Sequence, residues 1–194
     1  FWHLLRALDP SRSAETYLPH RMEHGYGVNG DALRELADRG VQSVITVDCG
    51  ITAVTEAELA RELGLELIIT DHHAMELSES AATELDASAD CRAAGSAVND
   101  HGGTHRLPRA SALVHPDLPG EAAPFPRLCG AAVAWKTACT TASAWFGPHQ
   151  VSEPVRRTLV GLLPLVALGT IADVMDLEDE NRIFAAIGLR GLAT

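Results

Sequence analysis

The stretch from Val41 to His73 constrains the fold more than any other. Val41 to Val47 is apolar and rich in β-branched residues, the signature of a buried strand. Asp48-Cys49-Gly50 breaks it, and Thr52 is placed to cap a helix running from Ala53 to Leu63, stopped by Gly64. Leu65 to Thr70 then reads as a second buried strand, ending at Asp71-His72-His73. Strand, helix and strand at these lengths form a crossover unit, so the two strands are expected to be parallel. The implied fold class is α/β, a parallel sheet flanked by helices, with a helical C-terminal portion.

The rest of the chain is arranged around that unit. Residues 1–8 read as the tail of a helix, ended by Asp9-Pro10-Ser11. Thr16-Tyr17-Leu18 is a short strand candidate, followed by Pro19-His20-Arg21 and a Gly25-Tyr26-Gly27 loop. Asn29 suits the cap of a helix over 31–39, closed by Gly40. Residues 74–110 are rich in Ala, Ser, Glu, Asp and Gly and lack periodicity, which predicts a loop-rich insertion. Ser111 to Val114 is a short strand, ended by His115-Pro116. A helix is expected from about Leu128 to Phe146, with Leu128, Ala131, Trp135, Ala138, Ala142 and Trp145 on one core-facing side. Ser152 caps a further helix through about Leu163, Val166 to Thr170 leads into Ile171-Ala172-Asp173, and residues 179–190 form a last helix.

Composition narrows the class. At 194 residues one domain is expected. The longest apolar run, Leu162 to Ala172, is broken by Pro164, Gly169 and Thr170, short of the roughly 18 residues of a membrane span. The formal net charge is −11. That argues against a surface that coats nucleic acid, which would be basic, but not against a site that holds cations. Four cysteines without a Cys-x-x-Cys pair point to free thiols and a cytoplasmic location. The chain starts without Met in what reads as mid-helix, so a piece of a longer protein is expected.

Open parallel sheets bind ligands at the carboxyl ends of their strands. Asp48 follows one buried strand and Asp71-His72-His73 the next, so all of them face one crevice. Carboxylate and imidazole together suit Mn²⁺, Fe²⁺ or Zn²⁺, and a two-ion clamp suits phosphoryl displacement. A lone aspartate after a strand is usually a cap and a lone His-His pair is usually surface; the joint placement favours a site. Asp173 is a third candidate, as open to a helix-cap role as to a ligand role. His115 can approach the same face or lie in solvent.

Val47-Asp48-Cys49-Gly50-Ile51 and Thr70-Asp71-His72-His73 resemble the second and third motifs of the DHH phosphoesterase superfamily. Three further stretches resemble its RecJ group of single-strand-specific exonucleases: Tyr17 to Arg21 with Gly25-Tyr26-Gly27, Cys129 to Lys136, and Leu165 to Val174 with Asn181-Arg182 beyond. The resemblance covers nearly the whole chain outside 74–110. It implies a 5′→3′ exonuclease on single-stranded DNA, used in DNA repair and recombination, with two Mn²⁺ or Mg²⁺ ions. Asp48 matches a bridging carboxylate, and His72 and Asp173 match metal ligands. His73 matches the histidine that meets the scissile phosphate, with Asp71 supporting the imidazoles. Arg21 matches an arginine near the 5′-phosphate. A single-strand-binding protein or a helicase is the partner class implied. Alternatives are a DHH phosphodiesterase acting on short oligonucleotides or cyclic dinucleotides, and a non-catalytic replication scaffold. The family's first motif, Asp-x-Asp-Gly, and its Gly-rich second lobe are absent from these residues, so this stretch alone is expected to be inactive.

Overall fold

The computed structural model describes residues 1–9, 11, 13–19, 25–75, 107–118, 123–147 and 149–192. The expected insertion at 74–110 falls mostly outside them, as does Arg21. The chain divides into two compact units, Pro19–Pro126 and a second built from Phe1–Leu18 with Arg127–Thr194.

The first unit holds helix α2 (Gly30–Asp38), strand β1 (Ser43–Val47), helix α3 (Val54–Glu62), strand β2 (Glu66–Thr70) and strand β3 (Ala112–Val114). The sheet has order β1-β2-β3 and both pairings are parallel. Asn29 caps α2 as its sequence suggests, its side chain accepting from the N–H groups of Asp31 and Ala32. Both helices end the same way. Gly40 and Gly64 adopt positive φ (79° and 72°), which a Cβ would penalise. Their N–H groups bond Ala37 and Arg61, while the next residues, Val41 and Leu65, bond Leu36 and Ala60. This double closure satisfies the last helical carbonyls and turns the chain directly into β1 and β2.

Leu33, Ala57, Ala60, Leu65, Leu67, Ile69 and Ala110 form the core of this unit. β2, the central strand, is buried along most of its length. β1 is not the fully buried strand its apolar sequence predicts. Among the described residues it is an edge strand, and of its own residues only Thr46 is buried, while Val47 is 45% exposed. The expected cap at Thr52 also fails: Ala53 is the residue before α3, with no side-chain cap. The strand expected at Thr16–Leu18 does not form among the described residues, and Leu18 is 90% exposed.

The second unit is helical: α1 (Trp2–Leu8), α4 (Gly130–Phe146), α5 (Glu153–Gly161), α6 (Leu163–Ala172) and α7 (Asp179–Leu192). Leu4, Ala138, Ala142, Val155 and Leu159 make its core. Gly188 lets α7 lie against α6, since a Cβ there would come within 2.5 Å of Ala167 Cβ and Leu163 O. Trp135 belongs to the interior as expected, donating to Leu159 O and packing edge-on to Phe184. Trp145, placed on the same face by spacing, is instead 62% exposed at the last turn of α4. By length and composition alone the run Glu153–Ala172, mean hydropathy 1.5, is long and apolar enough to cross a membrane. Counting unbroken apolar residues misses it. In the fold it is two helices divided at Leu162, with Glu153 paired to Arg156 and Arg157 at its start.

Candidate metal centre

The parallel register sets Val47 opposite Thr70, so the residues that follow β1 and β2 emerge side by side. Asp48 N–H donates to Thr70 O at 3.0 Å, and Asp71 N–H donates to Val114 O at 3.1 Å, carrying the pairing one residue beyond each strand. Thr70 Oγ1 donates to Thr46 O at 2.7 Å and braces the two strand ends. Asp48 then turns into the left-handed region, with φ 66°. Aspartate is among the few non-glycine residues that tolerate this, and the turn leaves its side chain open.

Asp71 is 1% exposed and works as an anchor. Its Oδ2 accepts from Ile51 N–H at 2.9 Å, and its Oδ1 accepts from His72 N–H at 2.8 Å and His73 N–H at 3.3 Å. His73 Nδ1 lies 2.6 Å from Oδ1. Burial pushes this carboxyl up, but the bonds from Ile51, the His73 ring, His72 and His73 outweigh it and hold it below the ordinary aspartate value. An ionised carboxylate only accepts, so the contact assigns the proton to His73 Nδ1 and leaves Nε2 facing outward. Asp71 thus fixes the orientation of the His73 ring.

His115, left open by its sequence, is a second support. Its Nδ1 accepts from Asp117 N–H at 3.1 Å, so the ring proton sits on Nε2 and donates to His73 O at 2.9 Å. The signal for it is in the sequence: it follows β3 as Asp71 follows β2, and the strand-end rule reaches it once β3 joins the sheet.

His72 Nε2 lies 3.1 Å from Asp48 Oδ1. One ligand atom each from Asp48, His72 and His73 falls within 4.8 Å of the others. One hard oxygen and two imidazoles fit a divalent transition ion. The geometry brings Asp48 and His72 together and sets His73 beside them. Asp173 is carried by the helical unit, exposed at the C-cap of α6, its N–H donating to Gly169 O. Beside the cluster lies a cleft of about 360 Å³, lined among others by Tyr26, Val28, Cys49, Ile51, Glu56 and His73. Burial, then Asp71 and Asp48, push the Cys49 thiol up and keep it protonated, away from the thiolate that binds metals.

The chain is similar to several known proteins. The chain is 37% identical to the single-stranded-DNA-specific exonuclease RecJ of Bacillus subtilis, across 98% of this chain and 19% of that protein. It is 32% identical to the RecJ of Escherichia coli, across 89% of this chain and 25% of that one. The chain thus spans a quarter or less of these curated relatives. A crystal structure of exonuclease RecJ bound to manganese superposes with TM-score 0.60 and 29% identity, over 90% of this chain and 34% of that one. RecJ from Thermus thermophilus in complex with Mn²⁺ gives TM-score 0.55 and 27% identity, over 83% and 18%. The DHH family, N-terminal domain, matches residues 1–98, a span that takes in both strand ends and the Asp71-His72-His73 run, and the chain belongs to that family.

Proposed function

We propose that this chain is part of the catalytic domain of a metal-dependent 5′→3′ exonuclease that hydrolyses phosphodiester bonds of single-stranded DNA, in DNA repair and recombination. The observation that carries the reading is the Asp48, His72 and His73 cluster at the carboxyl ends of two parallel strands. The similarity to named exonucleases over most of the chain supports it. So does the likeness to two manganese-bound structures. The retained cluster speaks against a non-catalytic scaffold.

Asp48 and His72 hold Mn²⁺ or Mg²⁺ in this reading, with Asp173 as a further carboxylate. Two such ions supply Lewis-acid stabilisation of the charge that develops in phosphoryl transfer. Asp71 fixes His73, so any proton that His73 exchanges with the scissile phosphate moves at Nε2. Arg21 offers a guanidinium fork to a 5′-phosphate. The net charge of −11 is partly offset by bound cations. The substrate comes from a helicase or from strands held by a single-strand-binding protein, in the cytoplasm.

The test is digestion of 3′-labelled single-stranded DNA by the full-length protein, with Mn²⁺, Mg²⁺ or excess chelator. Stepwise shortening from the 5′ end is expected with metal and none with chelator. Asp48→Ala should cut the rate by at least ~10²–10³-fold, the scale for removing a key electrostatic group. Near-normal activity in that variant defeats the site assignment. Equal digestion with and without metal defeats the reading.

A further inference from the structure

Tyr26 is not one of the metal-facing groups, yet it is placed where a substrate contact belongs. Its hydroxyl lies 3.3 Å from His73 Nε2, and the two rings meet edge-on at 6.2 Å. The proton on His73 Nδ1 is engaged by Asp71, so Nε2 accepts and the Tyr26 hydroxyl donates. Tyr26 therefore sits at Nε2, the ring nitrogen of His73 that Asp71 does not engage. Tyr26 is 67% exposed, and it forms a wall of the cleft with Gly27, Val28, Gly50 and Ile51. An aromatic ring left this open beside a phosphate position is a stacking surface for a base, and every base has a π-face to offer.

We propose that Tyr26 is a substrate-contacting residue of this site. Its hydroxyl donates to Nε2 of His73 at rest and turns to a phosphoryl oxygen when the scissile phosphate enters, while its ring stacks on the adjoining nucleobase. The move costs no buried hydrogen bond, because one acceptor replaces another. The proposal rests on the exonuclease reading above and deepens it by assigning the group that meets the terminal nucleotide.

Two substitutions in the full-length protein separate hydroxyl from ring. Tyr26→Phe keeps the ring and its packing. It should lower kcat by ~10-fold, as loss of a hydrogen bond to a charged group does, with KM nearly unchanged. Tyr26→Ala should also raise KM by ~10-fold, the scale of one lost base–aromatic stack. Binding of a labelled single-stranded oligonucleotide in excess chelator, where no cleavage occurs, should weaken by a similar factor in Tyr26→Ala and stay unchanged in Tyr26→Phe. Wild-type kcat in Tyr26→Phe together with wild-type affinity in Tyr26→Ala overturns the proposal. So does a fall in melting temperature of Tyr26→Phe that accounts for its activity loss, since the residue is then structural. A wild-type protein that neither binds nor digests single strands overturns the exonuclease reading itself. An active wild-type protein with indifferent Tyr26 variants overturns this inference alone.

Discussion

Two aspartates stand one residue beyond two adjacent strands, and they are used in opposite ways. Asp71, at the end of β2, is sealed in: its side chain is 2% exposed, and each carboxylate oxygen already holds a hydrogen bond from the protein. Asp48, at the end of β1, has a side chain 54% exposed, a backbone at φ 66°, and His72 Nε2 at 3.1 Å. One carboxylate is tied into the architecture and the other is left half-exposed. The cause is sheet position. The central strand ends among neighbours that donate to it, whereas the edge strand ends in a turn facing outward. A buried charge is tolerated when it is fully hydrogen-bonded, and an open one binds what arrives.

Stability measurements on metal-free protein break or sharpen this contrast. The largest effect belongs to Asp71→Asn. The amide cannot accept at both of the occupied positions, so denaturant unfolding should show a loss of ~2–4 kcal/mol. An unchanged midpoint would show that Asp71 is not an anchor. The same variant carries a pH signature. The folded carboxyl sits below its unfolded value of about 3.9, so its contribution is present above that value and fades as pH falls through the folded one. The gap in melting temperature between wild type and Asp71→Asn should be widest above about pH 5 and narrow below about pH 4; a gap that widens in acid has the wrong sign. His115→Phe should cost ~1 kcal/mol through the bond it gives to His73 O, and an unchanged midpoint would remove it from the support. The smallest effect belongs to Asp48→Gly, with the opposite sign. Relief of the left-handed strain should leave stability equal or up to ~1 kcal/mol higher, while the proposed nuclease activity of the full-length protein is lost. A large destabilisation would mean that Asp48 also serves the fold.

Much of this contrast is legible in the amino-acid sequence. The β-branched runs and their glycine stops locate β1, α3 and β2, and the strand-end rule draws Asp48, Asp71, His72 and His73 to one crevice. Helix α2 and its Asn29 cap follow from short-range chemistry alone. What escapes depends on pairing across the chain. Edge and central strands carry the same apolar letters, so β1 reads as buried. Thr52 looks like a cap, but the acceptor that serves this loop is Asp71 on the next strand, which satisfies Ile51 N–H. Trp145 keeps the helical spacing but falls on the last turn, beyond the packing. The link from His115 to His73 requires β3 to lie beside β2, which local sequence does not state. Asp173 rests on resemblance and stays a proposal.

The bond from Ile51 N–H to Asp71 also bears on chain entropy. It joins residues 20 apart, whereas the His115 to His73 bond spans 42. Closing a loop of twice the length costs only about 0.6 kcal/mol more. The clamp that shapes the open aspartate is thus made within one short crossover, and extending the site to the third strand adds little. Lengthening the chain between His73 and β3 therefore costs the centre little entropy, provided that β3 still reaches its place beside β2.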